Sequence, residues 1–137
     1  MTLLTQVAFS LLWIPYIWGG NVPHTGLDCS GMVLITLKKA GIIPASYDLH
    51  SQGIYNHLIE KDFSSCEPEE DCILFFGSST NRISHVAIAI SETRMIEARG
   101  GGRTTNTIKE ALRKNAMVDL TEISRRKDLV ASIKVEY

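Results

Sequence analysis

The chain has 137 residues, 45% of them hydrophobic and 21% charged, and fourteen basic against fifteen acidic side chains give a formal net charge of -1. This balance excludes the basic footprint that holds a phosphate backbone, so nucleic acid is not an expected partner. A single domain over residues 1–137 is expected, and at this length it holds a core without disulfides or a structural metal.

The apolar opening, MTLLTQVAFSLLWIPYIWGG, is interrupted by Pro15 and Gly19, and the first Lys or Arg of the chain is Lys38. It lacks the cationic start of an export leader and falls short of the roughly 20 apolar residues of a membrane span. It is therefore expected to be part of the fold, with no signal peptide, no membrane span and cytoplasmic synthesis. Leu3, Val7 and Leu11, with Leu4, Ala8 and Leu12, predict a helix over residues 2–12 that Pro15 stops. Gly19, Gly20, Asn21, Pro23 and Gly26 make residues 16–27 a loop. A helix follows over 29–40, with Val33, Leu37 and Ala40 on one face, Lys38 and Lys39 at its negative end, Gly41 as its cap and Asp28 or Cys29 at its start. A weaker helical pattern spans 51–59.

Strands are predicted over 72–76, after the acidic turn 67–71, and over 84–90, where apolar and small residues alternate. Residues 94–98 follow closely enough to form a hairpin with the latter, and 117–123 and 129–135 complete the set. Helices first and an antiparallel sheet afterwards make the fold class α+β.

Three cysteines, Cys29, Cys66 and Cys72, are an odd number that leaves at least one thiol free. Cys66 and Cys72 read as two small core thiols, and a disulfide across the five intervening residues stays open. Cys29 is placed differently. A helix N-terminus offers a positive dipole end that lowers a thiol pKa, and free amides that can hold an oxyanion. The plainer alternative is a buried cysteine in a first helical turn.

A thiol nucleophile needs a base, and His85 opens the strand SHVAIAI. Alternation puts His85, Ala87 and Ala89 on one face, where the alanines leave room for the Cys29 helix to approach; a hydrogen-bonded edge histidine is the alternative. Imidazole also needs an orienting partner. A three-residue loop, 91–93, sets Ile90 against Arg94 and Ala87 against Glu97, which puts Glu97 on the His85 face. A two-residue loop turns Glu97 away, but the Asn-Gly or Gly-X signal for that loop is missing. His24 and His50 read as solvated loop residues and His57 as a helix-surface residue. Within RGGGR, residues 99–103, either Arg99 or Arg103 could meet a substrate carboxylate.

Taken together, PYIWGG, GLDCSG and ISHVAIAI resemble the NlpC/P60 family of papain-like cysteine peptidases, which cut peptidoglycan stem peptides. The resemblance covers roughly residues 2–102. It implies a papain-like α+β fold, with N-terminal helices packed on a central antiparallel sheet and the catalytic cysteine at a helix N-terminus. It makes Cys29 the nucleophile, His85 the base and Glu97, twelve positions later, the orienting residue. Tyr16 becomes the tyrosine whose hydroxyl assists the oxyanion hole. Asp28 and Ser30 become the pair that holds the L-Ala amine and the γ-D-Glu carboxylate. The implied reaction is hydrolysis after γ-D-Glu through an acyl-enzyme, without metal or cofactor.

The tail NAMVDLTEISRRKDLVA also resembles the C-terminal strands of phage-encoded relatives. A wall-cutting enzyme without an export signal is expected to reach its substrate on a phage tail or other larger assembly or by release at lysis, with intracellular processing of recycled wall fragments as the alternative. Four departures accompany the resemblance, one of them an arginine often found after the second helix that is missing from PASYDLHSQG. Glu97 stands where the family usually has histidine, asparagine or glutamine, Asp71 and Cys72 replace its Gly-Asp, and Trp13 replaces its glycine before the Pro-Tyr pair. Two rival functions are another thiol amidase or transferase on γ-glutamyl or acyl substrates, and a catalytically idle wall-binding or phage structural domain.

Overall fold

The computed structural model describes residues 1–137. Thr2 accepts the Thr5 amide at 3.2 Å and starts helix α1 (Leu3–Ser10). The glycine-rich loop then makes only a two-residue ribbon, β1 (Asn21–Val22) with β2 (Gly26–Leu27). Asp28 accepts the Gly31 amide at 2.7 Å and begins α2 (Cys29–Lys39), which Gly41 ends in the left-handed conformation at φ 79°. Helix α3 (Ser51–Glu60) precedes three consecutive antiparallel strands, β3 (Cys72–Ser79), β4 (Arg82–Ala89) and β5 (Arg94–Arg99). Helix α4 (Ile108–Lys114), β6 (Met117–Glu122), a 3-10 turn (Ile123–Arg125) and β7 (Leu129–Lys134) complete the chain.

The expected α+β class is what forms: helices against one five-stranded antiparallel sheet in the order β6-β5-β4-β3-β7. Ile88 opposes Ile96, Ala89 opposes Met95, and Ile90 donates to Arg94 at 3.0 Å, so the β4–β5 register is that of the three-residue loop. Two features escaped the sequence reading. Helix α4 was not anticipated, although Thr107 caps the Glu110 amide at 3.1 Å in the pattern of a capping box. Strands β3 and β4 also run further than expected, to a two-residue turn at Thr80 and Asn81.

The sheet has a core on each face. Leu4, Met32, Val33 and Leu37 from α1 and α2 pack with Phe75, Val86, Ile88 and Ile96. On the other face Cys72, Leu74, Phe76, Ala87, Ala89 and Met95 pack with Ile123. This corrects the expected use of the alanines: α2 sits on the Val86 and Ile88 face, and the small side chains admit the 3-10 turn instead. His57 departs from expectation as well. It is half-buried, edge-on to Tyr47 at 5.4 Å between ring centroids, and its Nε2 is buried without a partner.

Irregular segments run along both outer strands. Trp13 donates to Val118 at 2.9 Å, Val118 to Ile14 at 2.9 Å and Tyr16 to Ala116 at 3.1 Å beside β6; Cys66 donates to Ser132 at 3.0 Å and Lys134 to Ser64 at 2.9 Å beside β7. No helix is long and apolar enough to cross a membrane.

Both positions at which the resemblance calls for glycine retain a glycine-like backbone: Trp13 has φ 75° and Asp71 φ 74°. A side chain in that region costs roughly 1–2 kcal/mol. Asp71 is compensated by a 2.6 Å hydrogen bond from the Thr2 hydroxyl, whereas Trp13 is 65% exposed. Trp13→Gly is therefore expected to raise stability by up to about 1 kcal/mol, since glycine's greater unfolded-state entropy offsets part of the relieved strain. A lower denaturant midpoint would show that Trp13 packing outweighs that strain.

Candidate active site

Six separate stretches of chain meet at a cleft of about 650 Å³, two of them at the start of α3 and at residues 98–101 where β5 ends. Tyr16, Trp18 and Gly19 come from the first loop, Asp28, Cys29 and Ser30 from the start of α2, Ser84 and His85 from β4, and Arg125 and Arg126 from the 3-10 turn and its end. Ser84 is the extra residue of a bulge, because Phe76 opposes His85 while Gly77 opposes Ile83. The N-terminus of α3 is fastened at the same place: Gln52 accepts the Ile83 amide at 3.0 Å and donates to the Thr80 carbonyl at 2.8 Å. Ser51 and His50 thereby reach the cleft, so His50 belongs to it as an exposed wall residue, while His24 is exposed elsewhere.

Glu97 is fully buried on the His85 face, with Oε1 2.7 Å from His85 Nε2. Thr121 donates to Oε2 at 2.5 Å, and Arg125 grips both oxygens, Nε to Oε2 at 2.9 Å and Nη2 to Oε1 at 2.8 Å. Burial alone would raise this carboxyl, but the bonds from His85, Arg125 and Thr121 overcome it and bring the group down to about 2. A carboxylate accepts only, so Nε2 carries the hydrogen of that bond and Nδ1 is the acceptor nitrogen of the neutral ring. Behind the ring lies Phe76, with centroids 5.6 Å apart.

Cys29 differs from the expectation of a lowered thiol. Burial, and then the Asp28 carboxylate, push it up to about 11, against the pull of the Val86 and Ser30 amides and the Arg126 charge. The resting thiol is neutral near pH 7, so a thiolate forms only if a base takes the proton. Burial and the neighbouring Cys29 and Asp28 charges also hold the Tyr16 phenol well above its usual range, which keeps it a donor. Asp28 caps α2 through Oδ1 and accepts the Gly19 amide through Oδ2 at 3.1 Å, while Ser30 donates to Oδ1 at 3.3 Å.

All six candidate residues, Tyr16, Asp28, Cys29, Ser30, His85 and Glu97, thus gather at or directly behind one cleft. The sequence reading missed Arg125 and Thr121, because the Arg-Arg-Lys tract looks like solvated charge and its partner is 28 positions away. Arg99 lines the cleft, but its guanidinium is held by Asp119 at 2.6 Å, and Arg103 is exposed outside it.

The NlpC/P60 family profile matches residues 14–122. The bifunctional muramidase/DL-endopeptidase CwlT of Bacillus subtilis is 30% identical over 111 residues, 80% of this chain and 32% of its own. Among solved structures, the peptidoglycan hydrolase RipB of Mycobacterium tuberculosis superposes with a TM-score of 0.69 at 20% identity, covering 98% of this chain and 64% of that one. RipD of the same organism, described as a non-catalytic domain adapted to peptidoglycan binding, gives 0.65 at 15% identity, covering 98% and 95%. The two structural likenesses establish the fold, and the chain spans 23% to 36% of the length of curated relatives that it matches.

The Glu97 arrangement makes a pH-dependent contribution to stability. Its pKa is lowered from 4.5 to about 2, so the contribution is complete above pH 4.5 and disappears as the pH falls toward 2. Its size is on the order of 3 kcal/mol. Denaturant midpoints between these limits should fall more steeply for the parent protein than for Glu97→Gln, and parallel curves would refute the assignment.

Proposed function

The chain belongs to the NlpC/P60 family, and on that premise we propose that it is a cysteine endopeptidase hydrolysing peptidoglycan stem peptides at the bond after γ-D-Glu. The observation that carries the reading is the bond from His85 Nε2 to Glu97, which leaves Nδ1 as proton acceptor in a cleft that Cys29 also lines. Nδ1 takes the Cys29 proton as sulfur attacks the γ-carbonyl carbon. Tyr16 Oη and the Cys29 amide donate to the oxyanion. The imidazolium returns its proton to the leaving amine, and water, activated by the same nitrogen, hydrolyses the thioester.

In this reading Glu97 holds the ring tautomer and Arg125 holds Glu97. The unused lone pairs of Asp28 receive the L-Ala ammonium. Ser30 turns its hydroxyl from Asp28 to the γ-D-Glu carboxylate. Delivery on a phage particle or by release at lysis is compatible with the same chemistry.

A second reading, an idle wall-binding domain, draws support from the thiol at about 11. The two separate in one experiment with L-Ala-γ-D-Glu-meso-diaminopimelate peptides followed by mass spectrometry. The parent protein is expected to release L-Ala-γ-D-Glu, Cys29→Ala to release none, and His85→Ala to be slower by at least about a hundredfold. Undiminished turnover in Cys29→Ala would sink the endopeptidase. Binding without cleavage, with Cys29 alkylated appreciably only as the pH nears 11, would establish the idle domain.

A further inference from the structure

The two cysteines outside the cleft stand closer than their packing requires. Cys66 Sγ lies 2.7 Å from Cys72 Sγ, well inside sulfur–sulfur van der Waals contact. Neither backbone is free to drift. Cys66 is tied to β7 by its amide, 3.0 Å from the Ser132 carbonyl, with Ser65 bridged to Ile133 beside it. Cys72 is the first residue of β3, paired with Lys134 of β7, and its amide reaches the Glu69 carbonyl at 3.0 Å. Residues 67–71 close the loop between them by a turn with Asp71 at φ 74°. The two sulfurs are thus brought together by a strand that both flanking segments share.

We propose that Cys66 and Cys72 are a disulfide-forming pair, oxidised by exchange with a small-molecule disulfide while Cys29 stays reduced. Cys66 is half-buried and Cys72 fully buried, so the order of attack follows from access. The Cys66 thiolate attacks the small disulfide, forming a mixed disulfide and expelling one small thiolate. The Cys72 thiolate then attacks the Cys66 sulfur, forming the internal bond and expelling the second. Two protein thiols are oxidised, one small disulfide is reduced to two thiols, and the two protein protons end on the departing sulfurs.

A metal fits the same atoms less well. Sulfurs bound tetrahedrally to zinc at about 2.3 Å stand about 3.8 Å apart, which requires the pair to spread, whereas a bond of about 2.05 Å requires it to close a smaller gap. The third nearby donor, Glu69, is exposed and already engaged by Lys134 at 2.9 Å. Ser132 Oγ stands 3.9 Å from Cys66 Sγ and the Glu67 carbonyl 3.7 Å from Cys72 Sγ, so neither occupies the space between the sulfurs. Nothing in this argument depends on the peptidase reading.

The full chain would be incubated with oxidised glutathione, freed of it, unfolded in denaturant, alkylated with iodoacetamide and digested with trypsin. Cys66 and Cys72 fall together in the peptide 62–82 and Cys29 in the peptide 1–38. The expected result is a peptide 62–82 two hydrogens lighter and unalkylated, beside an alkylated peptide 1–38. Unfolding of the oxidised parent should occur several degrees higher than that of the reduced parent. Cys66→Ser should match the reduced parent in reductant, showing that it folds, and gain nothing from the oxidant. Alkylation of both cysteines after oxidation, a persistent glutathione adduct on Cys66, or protection that a zinc chelator removes would each overturn the proposal.

Discussion

A carboxylate sealed from water must be surrounded by donors, and the donors that meet Glu97 come from three different parts of the chain. His85 is on β4, Thr121 on β6 and Arg125 on the turn that follows, so the charge on one side chain of β5 fixes the relation of its neighbours to each other. Removing any one donor leaves the others facing a less compensated buried charge. The orientation of the imidazole is therefore not a property of a pair. It follows from the approach of the 3-10 turn to the sheet, which Ala87 and Ala89 permit by being small.

The cleft also divides its labour between the two faces of the sheet. Helix α2 is held by the larger core, and the network behind His85 belongs to the side with the smaller one. The two sides meet where β4 bulges at Ser84. Changes in packing on one side can thus shift the thiol without moving the imidazole, or the reverse. Three arginines line the cleft, Arg99, Arg125 and Arg126, and each is matched to a carboxylate: Asp119, Glu97 and Asp128. The wall holds considerable charge yet little of it is unbalanced.

What could be read from the chain was governed by how local the determining interactions are. The start of α2 is legible because Asp28 lies three residues ahead of the amide it accepts, and the β4–β5 register because the chain lacks the Asn-Gly or Gly-X signal of a two-residue loop. The family resemblance then named the cleft residues from short segments around Tyr16, Cys29 and His85. Arg125 was illegible because nothing near it in sequence signals a buried partner on β5. The face of the alanines was misassigned for a related reason: alternation shows that two faces differ, but not which neighbour covers each. Likewise Cys29 has the helix position that lowers a thiol pKa, and only the packed structure reveals that burial and Asp28 outweigh it. Helix α4 is the exception, since its capping signal at Thr107 and Glu110 was present in the chain.

The segments lying beside β6 and β7 occupy hydrogen-bonding groups that an antiparallel sheet otherwise leaves open at its margins. Such margins are where separate chains stitch themselves together into extended ladders. Many copies crowded on one surface would find those groups taken here at one end of each margin, at Ala116 and Val118 beside β6 and at Ser132 and Lys134 beside β7. A continuous ladder from copy to copy would first have to displace those segments, so the covered ends work against fusion of the sheets.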